Sequence, residues 1–297
     1  MNYKKYFITY GDKNYAIQRN RISFQAKKLN IFDRVITYKP RSLNKKFREK
    51  FKNVLIQKHG GGFWLWKPFI ILETLKKMNE GDILIYVDAG SSINPKGKNR
   101  LVEYFEILKH SKENLLLFEM PLVEKNWTSK EVFEYFDVKD NKEITDSNQF
   151  MGGVILVKKN KHSINFFNVI LNAVESDYKL ITNDYSKNQN KYFEDVRHDQ
   201  SLISVYSKIS GCLSLKDESY FYNNPDEQYI YPILTVRDGN YNLWQKYKYY
   251  MIYPVNKRKI IFWKQKPYFF KNKYTIYKKI KNIIKKLIKN IFNNIFI

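Results

Sequence analysis

The sequence GGGFWLWKPFIILETLKKMNEGDILIYVDAGSS, residues 60–92, decides the fold of this chain. Pro68 is typical of the first turn of a helix, and no helix-breaking residue interrupts the segment that follows it until the turn at Gly81. The apolar run from Ile83 to Val87 then has the length of a strand that is buried on both faces. Asp88 stands at the carboxyl end of that strand, where open α/β sheets bind their ligands. The sequence therefore predicts an active site at Asp88.

Helix and strand patterns alternate along the rest of the chain. Strand-like runs occur at Tyr6 to Tyr10 and Arg34 to Tyr38, and a helical segment from Ala16 to Leu29 separates them. This alternation predicts an α/β fold with a Rossmann-like, mostly parallel sheet flanked by helices. Two polar segments, 139–147 and 183–190, are predicted to be mobile loops that could close over a substrate.

Positive charge is concentrated at the carboxyl end. The 297-residue chain has a formal net charge of +24, and residues 239–297 supply +15 of it because they contain 15 Lys or Arg and no Asp or Glu. From Tyr274 onward, isoleucines recur at helical spacing with lysines between them, a pattern typical of an amphipathic helix at an anionic membrane surface. The alternative is a helix that packs its apolar face on the protein's own core. We predict a catalytic domain at 1–238, an aromatic and basic extension at 239–273 and a basic, membrane-associating amphipathic helix at 274–297.

Cysteine content and hydropathy indicate the compartment. Cys212 is the single cysteine, which excludes a disulfide framework and a cysteine-based zinc site within the chain. The sequence begins without an apolar segment of signal-peptide type, and no run approaches the roughly 20 apolar residues of a membrane span. We expect a cytoplasmic protein that is peripheral on the inner face of the plasma membrane.

Four segments, taken in order, resemble GT-A glycosyltransferases, especially the small bacterial enzymes that build capsule or lipopolysaccharide glycans. They are GFWLWKP (62–68), YVDAG (86–90), QFMGG (149–153) and RHDQS (197–201). The resemblance implies a GT-A-like fold. It also implies transfer of a sugar from a nucleotide-sugar donor, by default a UDP-sugar, to a glycan or lipid-linked glycan acceptor in surface polysaccharide biosynthesis.

The resemblance also implies a divalent cation, Mn²⁺ or Mg²⁺, that bridges the donor diphosphate. In the family, an Asp-x-Asp motif holds this cation, but here Gly90 stands in the position of the second aspartate, so only Asp88 is carried over. The cation could have fewer protein ligands, take one from downstream, or be absent. The predicted metal ligands are Asp88 and His198, and the alternative for His198 is a hydrogen-bonded structural role.

The predicted binding residues come from the same segments. Lys67 could offset diphosphate charge, and the indole rings could stack on a sugar, although burial in the core is the alternative for each tryptophan. The predicted donor-binding residues are Tyr10, Gly11, Trp64, Trp66, Lys67, Asp88, Ala89 and Gly90. The predicted acceptor- and sugar-binding residues are Gln149, Gly152, Gly153, Arg197 and Gln200. For the two glycines, a simple turn before a strand is the alternative.

Asp199 is the predicted catalytic carboxylate, with Asp195 or Glu194 as its substitute. A helix is predicted to begin near Asp199, so helix capping is the alternative role for that residue. In an inverting transferase the carboxylate would deprotonate the acceptor hydroxyl, and in a retaining one it would stabilise or attack the cationic centre. The sequence leaves both outcomes open.

Two other classes of protein fit parts of the sequence. Excess positive charge with interleaved aromatic residues is typical of nucleic-acid-binding proteins. Because most of the charge lies in one amphipathic tail, however, we expect a membrane rather than a nucleic acid as the partner. An inactive, membrane-associated scaffold is the other alternative, and it would tolerate the loss of Asp88 and Asp199.

Overall fold

The apolar run Ile83–Val87 forms an inner strand of a seven-stranded sheet. The structure is a computed structural model that describes residues 3–219 and 231–235. Its strands are β1 (Lys5–Tyr10), β2 (Arg34–Tyr38), β3 (Ile83–Val87), β4 (Ser92–Ile93), β5 (Leu115–Val123), β6 (Asn148–Phe150), β7 (Val154–Lys158), β8 (Leu213–Lys216) and β9 (Ile233–Leu234). Its helices are α1 (Ala16–Leu29), α2 (Lys45–Lys50), α3 (Lys52–Leu55), α4 (Gly60–Phe63), α5 (Trp66–Leu75), α6 (Lys98–His110), α7 (Glu124–Trp127), α8 (Lys130–Tyr135), α9 (Lys142–Thr145), α10 (Lys161–Ser176) and α11 (Asp199–Ser210). The predicted extension at 239–273 and the predicted helix at 274–297 lie outside the described residues.

The strand directions confirm an α/β fold with a mostly parallel sheet. The strand order is β2-β1-β3-β7-β5, and both β6 and β8 also pair with β5. Five of these seven strands run in one direction, while β6 and β7 run in the opposite direction. A short second sheet joins β4 and β9. The described residues all belong to one compact unit.

The reversed direction of β7 determines which segments meet at the carboxyl end of β3. Because β7 is antiparallel to β3, its first residue, Val154, lies opposite Val87, the last residue of β3. Gly153 therefore lies beside Asp88, whose backbone N–H donates to the Gly153 carbonyl at 2.9 Å. The YVDAG and QFMGG segments are thus brought together by strand pairing.

Helices cover both faces of the sheet. Alternate side chains of a strand point to opposite faces, so β3 contributes to two cores. Ile83, Ile85 and Val87 pack with residues of α1 and α6, whereas Leu84 and Tyr86 pack with residues of α5 and α10. All five side chains are fully buried. This explains why the strand is a continuous apolar run rather than an alternating one.

A sharp chain reversal precedes α5. The segment α4 is not a regular helix, because Gly61 and Gly62 have φ angles of 61° and 96°. A β-carbon on Gly62 would also approach the Leu55 backbone to 2.8 Å, so the close packing of α3 against this reversal requires glycine. α5 then begins at Trp66, with Pro68 in its first turn as predicted.

The two polar segments that are predicted to be mobile loops contain defined contacts. The first contains α9. In the second, the Glu131 carboxylate accepts hydrogen bonds from the Ser186 N–H at 2.8 Å and from Gln189 Nε2 at 2.9 Å. Residues 183–190 are therefore anchored to α8 in this conformation. Across residues 3–219 and 231–235, no helix combines the length and the apolar character needed to cross a membrane.

Candidate active site

Asp88 follows the carboxyl end of β3, at the end of the sheet where the parallel strands terminate. Its side chain remains 35% exposed, although β3 itself is fully buried. The Tyr86 hydroxyl, two residues earlier on the same side of the strand, donates to Asp88 Oδ1 at 2.5 Å. Burial and the neighbouring Asp88 charge raise the pKa of Tyr86 well above its usual value. Tyr86 therefore stays a neutral hydrogen-bond donor that fixes one oxygen of Asp88.

Asp199 is the first residue of α11 and lies almost entirely inside the protein, with its side chain 4% exposed. The preceding residue, His198, has φ 54° and ψ −123°, a backbone conformation that costs a non-glycine residue about 1 to 3 kcal/mol. Such strain persists where the surrounding structure enforces it. Here it accompanies the turn that directs Asp199 into the buried site.

The Lys67 ammonium joins the two carboxylates. Its Nζ lies 2.6 Å from Asp199 Oδ2 and 3.6 Å from Asp88 Oδ1, and it donates to the Gly152 carbonyl at 2.8 Å. The Lys67 side chain is 3% exposed. Burial by itself would lower the pKa of Lys67, but the charges of Asp199 and Asp88 outweigh burial and raise it. Lys67 is therefore a permanently charged group inside the protein.

The same surroundings make the Asp199 carboxyl a weaker acid than an ordinary aspartate. Burial raises the pKa of the Asp199 carboxyl to about 6, against the opposing effect of the Lys67 ammonium, while the Asp88 charge adds to the increase. A carboxyl group with this pKa can exchange a proton near neutral pH, as a general base must.

Each of the four segments that resemble the glycosyltransferases contributes one residue to a cluster around the Lys67 ammonium. Lys67 belongs to the first segment, Asp88 to the second, Gly152 to the third and Asp199 to the fourth. These residues are far apart in sequence. The fold therefore gathers the four motifs into one cluster.

The two glycines leave room for this cluster. A β-carbon on Gly152 would lie 2.9 Å from the Gln200 β-carbon, and one on Gly153 would lie 3.1 Å from Asp88 Oδ2. The Gly152 N–H donates to Gln200 Oε1 at 2.8 Å. The glycines therefore do more than form a turn, because they allow close approach of α11 and of Asp88.

Gln149 is placed differently from the prediction. It is fully buried, and its Nε2 donates to Glu124 Oε1 at 2.9 Å while its Oε1 accepts from Gln200 Nε2 at 2.5 Å. Direct contact with a sugar would break both interactions. The structure therefore contradicts Gln149 as a sugar-binding residue and makes it a support for Gln200.

Trp66 and Tyr10 are also core residues. Their rings stack with centroids 3.8 Å apart, and Trp66 Nε1 donates to the Gly60 carbonyl at 3.0 Å. Both side chains are buried. The prediction that Trp66 stacks on a sugar is wrong for this conformation, and the core alternative holds. Lys67 likewise has its contacts filled by protein oxygens, so it does not offer its ammonium to a diphosphate here.

Trp64 and His198 form part of an aromatic cluster beside the site. Trp64 is partly exposed, and its ring stacks on His198 with centroids 5.4 Å apart. His198 Nδ1 lies 2.8 Å from the Ile181 carbonyl oxygen, which can only accept, so Nδ1 carries the proton. Burial lowers the pKa of His198 to about 4, and the imidazole is neutral at pH 7. This arrangement supports the structural role for His198.

The remaining predicted residues lie around the cluster. Glu194 and Asp195 are exposed, in contrast to the buried Asp199, so neither takes its place beside Lys67. The Arg197 guanidinium lies 3.9 Å above the Trp127 ring. Gly11 follows β1, which pairs in parallel with β3, so it leaves the sheet at the same edge as Asp88.

Two further residues, Tyr86 and Arg21, support the site and are not among its predicted residues. Tyr86 was detectable in principle, because residues two apart on a strand share a face. Arg21, on α1, donates through Nη2 to the carbonyls of Ala89 at 3.4 Å and Ser91 at 2.8 Å, and so holds the loop that contains Gly90. No motif in the sequence indicates this contact.

The chain is similar to several solved structures. A glycosyltransferase involved in the glycosylation of the major capsid of PBCV-1 has 12% identity and a TM-score of 0.46, with 79% of this chain and 98% of that chain covered. Mouse xyloside xylosyltransferase 1 has 10% identity and a TM-score of 0.44, over 81% of this chain and 99% of that chain. The glycosyltransferase GlyE of Streptococcus pneumoniae has 15% identity and a TM-score of 0.39, over 73% of this chain and 46% of that chain.

No protein-family model matches the sequence, and no curated protein matches it. The structural likenesses are distant.

Proposed function

We propose that this protein is a glycosyltransferase that uses a nucleotide-sugar donor, by default a UDP-sugar. The observation that carries the proposal is the meeting of the four glycosyltransferase-like segments at the Lys67 ammonium. Sugar transfer from a nucleotide needs stabilisation of the leaving diphosphate and a carboxylate that faces the anomeric centre. In this proposal the partly exposed Asp88 serves the diphosphate end of the donor, and the buried Asp199 serves the anomeric centre.

In this proposal Asp199 is the catalytic carboxylate. Its pKa of about 6 leaves it mostly ionised at pH 7 and still basic enough to accept a proton. It would either deprotonate the acceptor hydroxyl or stabilise the positive charge that develops on the sugar. Lys67 holds this carboxylate in place and fixes Asp88 and the Gly152 carbonyl around it. Gly153 leaves room beside Asp88, because a β-carbon there would lie 3.1 Å from Asp88 Oδ2. Ala89 and Gly90 are proposed to contact the donor in the loop that follows Asp88.

A divalent cation fits Asp88 if the donor supplies most of its ligands. Asp88 Oδ1 already accepts from Tyr86, and the carboxylate is partly exposed. Within residues 3–219 and 231–235, no three His, Cys, Asp or Glu side chains form a group that could hold a metal. Mg²⁺ is commonly bound by one or two carboxylates together with substrate phosphates. When bound, the cation would neutralise charge on the leaving diphosphate.

The acceptor is proposed to be a glycan or lipid-linked glycan of a surface polysaccharide. The supporting feature of the sequence is the segment 239–297, which contains 15 Lys or Arg and no Asp or Glu. Lysines near an anionic membrane each contribute about 1 kcal/mol to binding. A basic tail would hold the enzyme on the inner face of the plasma membrane, where lipid-linked acceptors are found.

A thermal-shift screen tests the donor class. We would measure the Tm of the purified protein with a panel of nucleotide sugars, each in Mn²⁺, Mg²⁺ or EDTA. We expect one donor to raise the Tm in a metal-dependent way, and Asp88→Asn to abolish that rise. Asp140→Asn makes the same chemical change at an exposed position and should leave the rise unchanged. A protein that responds to no donor would contradict the proposal and favour a scaffold.

A further inference from the structure

A buried carboxylate lies behind the candidate active site. Glu124 is fully buried, and its two oxygens accept hydrogen bonds from different elements. Oε1 accepts from Thr128 Oγ1 at 2.6 Å and from Gln149 Nε2 at 2.9 Å. Oε2 accepts from Ser204 Oγ at 2.5 Å and from Lys208 Nζ at 2.5 Å. A buried charge with four donors is fully satisfied, so Glu124 ties β6 to α11, the helix that begins with Asp199.

The negative charge of Glu124 fixes the direction of a chain of amides. A carboxylate can only accept, so Gln149 must point its NH₂ group at Glu124 and its oxygen at Gln200. Gln200 then points its NH₂ group at Gln149 Oε1, at 2.5 Å. Its own oxygen faces the Gly152 N–H, at 2.8 Å. Glu124 thus orients Gln149, with a longer contact from Gln149 Nε2 to the Trp127 carbonyl at 3.4 Å, and Gln149 in turn orients Gln200.

The chain of amides ends at the Lys67 ammonium. The Gly152 N–H is held by Gln200, and the Gly152 carbonyl accepts from Lys67 Nζ at 2.8 Å. Lys67 in turn contacts Asp199 at 2.6 Å. The path from Glu124 to the catalytic carboxylate thus consists of direct contacts, and none of its members needs to be exposed.

We propose that Glu124 is a positioning residue for the active site, which sets the orientation of the Gln149 and Gln200 amides and thereby holds Gly152 and Lys67 against Asp199. The kinetic consequence of this role rests on the proposed glycosyltransferase function, whereas the structural consequence at Gly152 does not. Lys208 is the charge partner of Glu124 and also lies 5.2 Å from the centre of the Phe150 ring. It takes no part in the chain of amides.

Glu124→Gln disturbs the chain of amides for a definite electrostatic reason. The Lys208 ammonium attracts the oxygen of the introduced side chain, so the NH₂ group of that side chain faces the NH₂ group of Gln149. The repulsion displaces the Gln149 amide from its place, because turning it over would bring its oxygen against the Trp127 carbonyl, which lies 3.4 Å from Gln149 Nε2. Gln200, which donates to Gln149 Oε1, is displaced with it, and the hydrogen bond from the Gly152 N–H to Gln200 Oε1 is weakened or lost. With Lys208→Met added, the introduced amide is free to turn its oxygen toward Gln149 and restore the original contacts.

The Gly152 amide can be observed alone by NMR. Met151–Gly152 is the only Met-Gly pair in the sequence, so protein labelled with carbonyl-¹³C methionine and ¹⁵N glycine gives one carbonyl-coupled amide signal. We expect Glu124→Gln to move this amide proton upfield, because the hydrogen bond is weakened or lost. Lys208→Met breaks the same ion pair and lowers the Tm, but it should leave the signal in place. The double variant Glu124→Gln/Lys208→Met should return the signal toward its wild-type position.

An unchanged signal in Glu124→Gln would overturn the proposal, and so would a double variant whose signal stays displaced. Equal displacement in Lys208→Met would also overturn it, because loss of the ion pair alone would then explain the effect. If Glu124→Gln does not fold, Glu124→Met in the Lys208→Met background removes the acceptor and leaves no charge unpaired. The same upfield shift, relative to Lys208→Met alone, is then expected.

Kinetics separate this role from simple support of the fold. Well below the Tm, we expect Glu124→Gln to lower kcat between about tenfold and about a hundredfold, as small displacements of catalytic groups do, with the donor KM changed less than about twofold. Lys208→Met should keep the wild-type kcat. A wild-type kcat in Glu124→Gln would overturn the proposal. A wild-type protein that transfers no sugar would instead contradict the proposed function, and the NMR result would decide the role of Glu124.

Discussion

The Lys67 ammonium carries a buried positive charge between two carboxylates. Its neighbours Asp199 and Asp88 lie at 2.6 Å and 3.6 Å, and no bulk water screens the closer pair. Burial of charge costs free energy unless each charge is paired, so the three groups depend on one another. The sequence predicts a Lys67 that faces a diphosphate. The structure places it in the interior, where it contacts Asp199, Asp88 and the Gly152 carbonyl.

Removal of the Lys67 charge should therefore be costly. Lys67→Met leaves Asp199 buried and unpaired, and we expect a loss of about 3 to 5 kcal/mol in the free energy of unfolding. The measurement is urea unfolding at pH 7.5. Lys67→Met/Asp199→Asn removes both charges and should recover a large part of that loss. A double variant as unstable as the single one would show that the pair does not account for the effect.

The raised pKa of Asp199 predicts that both activity and stability depend on pH. Activity in this account requires the Asp199 carboxylate, so kcat/KM should fall as the pH drops below about 6. The contribution of this group to stability has the opposite sign. Because its folded pKa lies above the ordinary value of 3.8, that contribution is largest below 3.8 and is lost as the pH rises through about 6. A kcat/KM that stays constant down to pH 5, with the protein folded by circular dichroism, would contradict the role of Asp199.

The segment before α11 is held in place by contacts with α8. Glu131 accepts two hydrogen bonds from residues 183–190, and Gln189 Oε1 accepts from the Lys130 N–H at 2.8 Å. Burial would raise the pKa of Glu131, but these hydrogen bonds outweigh burial and lower it to about 2. Its stabilising effect is therefore present above the unfolded pKa and is lost as the pH falls through about 2. The His198 side chain has its own contact before α11, from Nδ1 to the Ile181 carbonyl at 2.8 Å.

Loss of the Glu131 anchor should expose this segment to proteases. We expect Glu131→Ala to increase the rate of tryptic cleavage at Lys187 or Lys191, because local opening of the segment becomes easier. Mass spectrometry of the fragments gives the site and the rate. Glu134→Ala, on the same helix but exposed, is the matched control and should be cleaved at the wild-type rate. Equal rates in both variants would mean that other contacts hold the segment.

At the level of the whole molecule, the strands and helices were easier to predict than the side-chain contacts. The apolar run of β3 and the position of Asp88 follow from local pattern, and the structure confirms both. The direction of β7 does not, because an apolar strand reads alike in a parallel or an antiparallel pair. The burial of Gln149 and Trp66, and the role of Glu124, depend on elements distant in sequence. No local pattern encodes those contacts.

The basic tail should decide where the protein is found. Deletion of residues 274–297 removes six lysines. We expect this variant to lose affinity for vesicles that contain anionic lipid in a cosedimentation assay, while hydrolysis of a soluble donor stays at the wild-type rate. The contribution of the lysines should fall as salt is raised. An insoluble or unfolded product would favour the alternative in which the tail packs on the protein's own core.

Turnover of the donor identified by thermal shift is the most direct measurement of the central claim. The wild-type protein, Asp88→Asn and Asp199→Asn would be assayed for release of the nucleotide, and donor binding would be measured by calorimetry under the same conditions. We expect Asp199→Asn to bind the donor with wild-type affinity and to show no turnover, and Asp88→Asn to lose metal-dependent binding. Wild-type turnover in Asp199→Asn would contradict the assignment of Asp199 as the catalytic carboxylate.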